Sequence, residues 1–179
     1  HGEKGWKIRG IEIRQHSTCN WIRKMQTEML KNLQLGPPEK MVKQAIGTFL
    51  QGVSDLTNGG VSLSDLVISR RVRKRPEEYK VSNLTLAALL RGRVLGQEEP
   101  LGRKIHFVVL NESGGEPVER IRLRSEIDSG YSSSVIRRGG IEFYKALALR
   151  ASLSILSPFG ITEDTLLNGG GVQTTLEEW

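Results

Sequence analysis

Lys104 to Leu110 reads Lys-Ile-His-Phe-Val-Val-Leu and is the clearest strand in the chain. Its apolar residues run on without the in-and-out alternation of a strand with one wet face. Such a strand is predicted to be covered on both sides. That requirement sets the kind of fold: a small sheet enclosed by other elements. Candidate neighbours lie on either side in the sequence. Upstream, Leu66, Val67 and Ile68 form a short run that suits a buried strand. Downstream, past the turn at Ser113 to Pro117, Val118 to Leu123 would place Ile121 and Leu123 inward and Arg120, Arg122 and Arg124 outward. A further strand is read at Lys7 to Ile13, on Ile8, Ile11 and Ile13, with a bulge or close backbone approach at Gly10.

Helices supply the cover. Trp21, Ile22, Met25, Met29, Leu30 and Leu33 recur at helical spacing behind a Ser17 or Thr18 cap, and Gly36 suits the position just past the end. Pro37 and Pro38 open a second helix, where proline's missing N–H does no harm. Its stripe is Met41, Val42, Ala45, Ile46, Phe49, Leu50 and Val53. The short Gly-Pro-Pro connection predicts that the two pack antiparallel. Asn83 to Leu95 is a third helix, with Arg91 and Arg93 facing outward and Gly96 and Pro100 ending it. Ile141 to Leu156 is the last long helix, stopped by Pro158-Phe159-Gly160, and Thr162 opens a short capped turn. Residues 125–140 carry no periodic signal, and Asn168 to Gly171 reads as a flexible linker. The sum is a helix-rich α+β fold with a small antiparallel or mixed sheet.

The segment after Ile68 carries the functional signal. It places five positive charges in six positions, at Arg70, Arg71, Arg73, Lys74 and Arg75. Pro76 then stops any ladder or helix, and Tyr79-Lys80 follows with an aromatic beside a cation. Residues 70–110 hold ten Lys and Arg against four Asp and Glu, while the remainder of the chain holds sixteen of each. The whole net charge of +6 therefore sits in the middle of the chain. A concentration of that kind is the electrostatic footprint of a polyanion-binding surface. The plain alternative is a solvated loop that serves solubility, since short basic runs are weak motifs.

Composition limits the other functions. With a single cysteine, Cys19, no disulfide forms within the chain, and an intracellular, cytoplasmic protein is expected. Three scattered histidines, His1, His16 and His106, build no Cys/His metal cluster. No apolar run approaches the ~20 residues of a membrane span, so no membrane partner is expected. An aromatic content of 6% leaves few rings for an RNA stacking platform. Asp55, Asp65, Asp128 and Asp164 are isolated, so no catalytic carboxylate pair is read here. The chain opens mid-pattern without an initiator Met and looks like a piece of something longer.

Several segments, in order, resemble archaeal-type family B DNA polymerases. Lys7 to Arg14 is similar to the last strand of the palm in that family. Val61 to Ile68, followed by Arg75 to Lys80, resembles the thumb pattern that ends in Tyr-Lys. Gly102 to Leu110 resembles a thumb strand, and Phe143-Tyr144 to Phe159-Gly160 is similar to the closing helix. The chain departs from the family pattern at Leu84, where a His is usual, and at His16, near a usual Asp. It also lacks the proline of the final helix. The resemblance implies that residues 1–15 end the palm, 16–167 form the thumb and 168–179 are a linker and tail.

On this resemblance the chain is part of a DNA-directed DNA polymerase and non-catalytic alone. The Mg2+-binding carboxylates of the whole enzyme lie elsewhere, no cofactor belongs to this segment, and a catalytic palm or large subunit is the expected protein partner. The implied task is to grip primer–template DNA through phosphates, which needs Lys and Arg rather than base-edge readers. The implied gripping set is Arg71, Arg73, Lys74, Arg75, Tyr79 and Lys80, with Arg9 near the palm junction. For Tyr79 a half-buried core ring is the alternative. At the terminus, Gln173, Leu176 and Trp179 fit the Gln-x-x-hydrophobic-x-x-aromatic box that binds a PCNA-type sliding clamp, without its second aromatic. A stand-alone DNA-binding, clamp-recruited accessory protein is the competing reading.

Overall fold

The computed structural model describes residues 18–34, 36–131 and 136–168 of the 179. The strand expected at 7–13, with Arg9, and the glycine linker and tail beyond Asn168, with Gln173, Leu176 and Trp179, lie outside the described residues. The chain divides into two compact units, one built on 21–58 and 145–168, the other on 18–20 and 59–144.

The first unit is helical. α1 (Asn20–Asn32) buries Trp21, Ile22, Met25 and Met29. α2 (Pro38–Thr57) starts on proline at its first position, as the sequence predicts, and buries Ala45, Ile46, Phe49 and Leu56. The Asn32 amide donates to Thr48 Oγ1 at 2.8 Å, and Trp21 and Met25 lie against Gly52. Descending α1 thus means ascending α2, which is the antiparallel pairing expected. A side chain at Gly52 would overlap the Met25 terminal methyl, so the glycine permits the close approach. α1 stops at Asn32, well before Gly36. The same unit holds most of α5 (Arg138–Leu156) and all of α6 (Glu163–Leu167). Gln26 on α1 donates to the Ala151 carbonyl of α5 at 3.0 Å, and Thr162 Oγ1 caps α6 by accepting from Thr165 N–H.

The second unit contains the sheet. β1 (Ile68–Arg71), β2 (Lys104–Val109) and β3 (Ile121–Leu123) are antiparallel, with β2 in the centre. Phe107, Val108, Val109 and Leu110 are all essentially inaccessible, so β2 is covered on both faces as its composition requires. β1 begins later than Leu66. Ser62 accepts from Ser64 N–H and turns Leu63–Leu66 into a 3-10 helix, so the strand is made of Ile68, Ser69, Arg70 and Arg71. The basic run therefore starts inside the sheet, on its edge. β3 is also shorter than expected, because Pro117 opens a 3-10 turn through Glu119. α3 (Leu84–Val94) is capped by Asn83, whose Oδ1 accepts from Leu86 N–H at 2.8 Å. α4 (Arg124–Asp128) forms within the stretch that has no sequence signal.

Two arginines read as outward-facing are not. Arg122 is buried. It lies on the β3 face opposite that of Ile121 and Leu123, paired with buried Val108 across the strands. Its guanidinium is held by Glu119 at 3.0 Å, by the Ile121 carbonyl at 2.7 Å and by the Tyr131 ring. Arg91 is mostly buried on α3 and grips both oxygens of Glu126, at 2.6 and 2.7 Å, and also the Val118 carbonyl. The Glu126 hydrogen bonds raise the Arg91 guanidinium above its ordinary value although burial acts against them. Glu126 in turn accepts from Leu123 N–H. Burial raises its carboxyl, but the Arg91 and Leu123 hydrogen bonds prevail and hold it below the ordinary range.

Candidate nucleic-acid interface

The cationic surface is built by the turn out of β1. Arg71 ends the strand, and its backbone neighbour Val72 keeps two more bonds with the β2 side, Val72 N–H to Arg103 O at 2.7 Å and Gly102 N–H to Val72 O at 2.8 Å. Val72 is buried, so the chain is anchored there, while Arg73, Lys74 and Arg75 project from it exposed. Pro76–Glu78 forms a 3-10 turn, closed by the Glu78 carboxylate accepting from Arg75 N–H at 3.0 Å. This turn folds Tyr79 back beneath Lys74, with the ammonium 5.5 Å from the ring centroid. Tyr79 is half-buried, and burial raises its hydroxyl above the ordinary value, with Glu78 adding to the effect.

Of the two acids in this segment, Glu78 is bound to the Arg75 backbone and Glu77 is directed to α3. Glu77 pairs with Arg93 of α3 at 3.1 Å, and Arg93 also reaches Glu98 at 3.6 Å. A hydrogen bond to its own backbone and the Arg93 partner hold Glu77 below its usual range. Arg93 thus ties the turn to α3. Arg71, Arg73, Lys74, Arg75 and Lys80 are in no ion pair among the described residues.

These elements enclose an open groove of about 540 Å³. Of the residues expected to grip DNA, Arg71, Arg73, Lys74 and Tyr79 line it, but Arg75 and Lys80 do not. Arg75 lines the neighbouring depression beside Glu77 and Arg93. The groove also takes in Asn83 and Thr85 at the start of α3, and Lys104 of β2. Sequence reasoning passed over Lys104, because it counted charge along the chain rather than across the sheet. The antiparallel register sets Lys104 directly opposite Arg71. Ser69 faces His106 in the next pair but one, on the same face. His106 is held below its usual pKa by burial, with the Arg124 and Lys104 charges adding to it.

Among the described residues no three His, Cys, Asp or Glu side chains come together to hold a metal ion. The described part of the chain therefore does not fit a Mg2+ site. No helix among the described residues is long and apolar enough to cross a membrane.

A small antiparallel sheet thus carries, beside its edge strand, an open groove lined by cations, the kind of surface that attracts a polyanion. Residues 1–136 match the sequence model of DNA polymerase family B, and the chain belongs to that family. It is 27% identical, over 96% of its length, to a DNA polymerase of Archaeoglobus fulgidus, of which it covers 22%. It is 30% identical over 62% of its length to the DNA polymerase delta catalytic subunit of Dictyostelium discoideum, of which it covers 10%. The chain thus spans about a fifth or less of these relatives. The fold is similar to part of the family B DNA polymerase of the hyperthermophilic archaeon Pyrobaculum calidifontis, with a TM-score of 0.60 and 19% identity, over 76% of this chain and 17% of that one.

Proposed function

We propose that this chain is the thumb of a DNA-directed DNA polymerase, gripping the primer–template duplex while nucleotidyl transfer is carried out by residues it does not contain. One observation carries the reading: Arg71, Arg73 and Lys74 line one open groove, and among the described residues none of their side chains is in an ion pair with a carboxylate. Cations held in place without internal acids suit sequence-independent contact with phosphates. Residues 1–15 would complete the palm and 16–167 the thumb. The tail from 168 to 179 would tether a PCNA-type clamp through Gln173, Leu176 and Trp179. Mg2+ would serve the polymerase at carboxylates outside the described residues.

The test is duplex binding measured against salt concentration. With about five phosphates engaged, log affinity falls against log salt with a slope near −4 to −5. Replacing Arg73, Lys74 and Arg75 together by Ala should flatten that slope by about 2–3. An unchanged slope in the triple variant rules the run out as the contact surface. A peptide of residues 168–179 that fails to bind a clamp at submillimolar concentration removes the tail from the proposal. Primer extension separates the remaining versions: activity only when a catalytic chain is added favours a polymerase part, and none in either case favours an accessory DNA-binding protein.

A further inference from the structure

The register of the sheet makes an unusual pair. Arg71 on β1 and Lys104 on β2 stand directly opposite, at the end of the ladder and on one face. Like charges in that arrangement repel and destabilise a sheet. Three other arginines of this unit are matched with acids: Arg91 with Glu126, Arg93 with Glu77, Arg122 with Glu119. Here no acid is within ion-pair distance of either residue among the described residues. The Arg71 guanidinium is instead fixed by donating to the Gly102 carbonyl at 2.7 Å, which aligns it without neutralising it. Both residues line the open groove, and so does Lys74, itself positioned over the Tyr79 ring.

We propose that Arg71, Lys104 and Lys74 form a discrete seat for one backbone phosphate of the bound duplex, with Lys104 the contact residue that the basic run does not contain. This inference rests on the DNA-gripping reading above and refines it. The groove would exchange the repulsion of the free protein for charge-assisted hydrogen bonds in the complex. Lys104 lies about thirty residues from the run in sequence and reaches the same phosphate only because β1 and β2 pair.

Duplex binding by the full chain is compared with that of Lys104→Gln and Lys104→Arg, with Lys31→Gln as a control on α1, which lies outside the groove. Lys104→Gln should reduce the magnitude of the log–log salt slope by about 1 and weaken binding about fivefold near ~0.15 M salt. Lys104→Arg should keep the slope, and so should Lys31→Gln. Relief of the like-charge pair should also raise the melting temperature of DNA-free Lys104→Gln by about 1–3 °C. A variant that merely damaged the strand would melt lower, so a lower melting temperature counts against the seat. If the wild-type chain binds DNA and Lys104→Gln keeps its slope, the seat is wrong and the wider grip stands. An equal loss in Lys31→Gln means diffuse attraction and also overturns the seat. Failure of the wild-type chain to bind duplex overturns both.

Discussion

The Tyr144 hydroxyl serves two backbone groups at once. It donates to the Leu66 carbonyl at 2.7 Å and accepts from Val109 N–H at 2.9 Å, with the ring wholly buried. Burial pushes the phenol well above its usual pKa, so it remains a neutral donor throughout the physiological range. Tyr144→Phe keeps the ring and leaves both backbone groups without their partner. The expected loss is about 2–4 kcal/mol in urea unfolding, from two unsatisfied buried groups. Because Leu66 stands two residues before β1, amide exchange at Ile68–Arg71 should rise in the variant more than at α1. A loss below about 0.5 kcal/mol would mean that water replaces the hydroxyl. None of this was legible in the sequence, since the hydroxyl's partners are 35 and 78 residues away from Tyr144. Arg91 and Arg122 escaped for the same reason: a charge reads as exposed until the fold brings Glu126 or Tyr131 to it.

At the level of elements, periodic patterns transferred well and boundaries did not. The stripes around Met25 and Phe49 and the apolar run of β2 report burial directly, and those elements form where the spacing places them. The start of α5 differs. Glycine is a poor helix former, so the sequence favours a start at Ile141, yet the helix begins at Arg138. The reason is contact with the end of β2. A Cβ on Gly140 would overlap the Leu110 carbonyl and crowd that of Val109. Gly140→Ala should therefore destabilise the chain by roughly 1–3 kcal/mol, although alanine favours a helix; a stabilised variant in thermal melts would contradict the close approach. β2 also sets a pH dependence. The folded-state pKa of His106 lies below its ordinary value of 6.5, chiefly through burial. The unfolded chain then binds its proton more readily, so stability falls as pH drops below about 6.5 towards the folded-state value. His106→Gln should lose less stability than wild type between pH 7.5 and 5.5 in urea titrations. Parallel curves would show that His106 contributes nothing to this slope.

For the whole molecule, the ordered motifs pointed to DNA polymerase family B, and the family match over residues 1–136 agrees. What linear reading missed is that the cationic groove crosses strands, with Lys104 joining residues near one another in the chain. A grip of this kind makes a kinetic prediction. Phosphate contacts remote from the reacting atoms slow the departure of DNA but leave the chemical step alone, because they bind ground and transition states equally. A polymerase reconstituted with the Arg73, Lys74 and Arg75 to Ala variant should therefore release its primer sooner. At about 0.15 M salt, loss of two to three phosphate contacts weakens the hold by roughly 30- to 150-fold, judged by the salt dependence. With a trap for free enzyme, extension products should shorten accordingly. Incorporation of a single nucleotide at saturating primer–template should keep the wild-type rate. If that single-turnover rate falls while product length per binding event holds, the basic surface acts on the alignment of the primer end, and duplex retention belongs to another part of the enzyme.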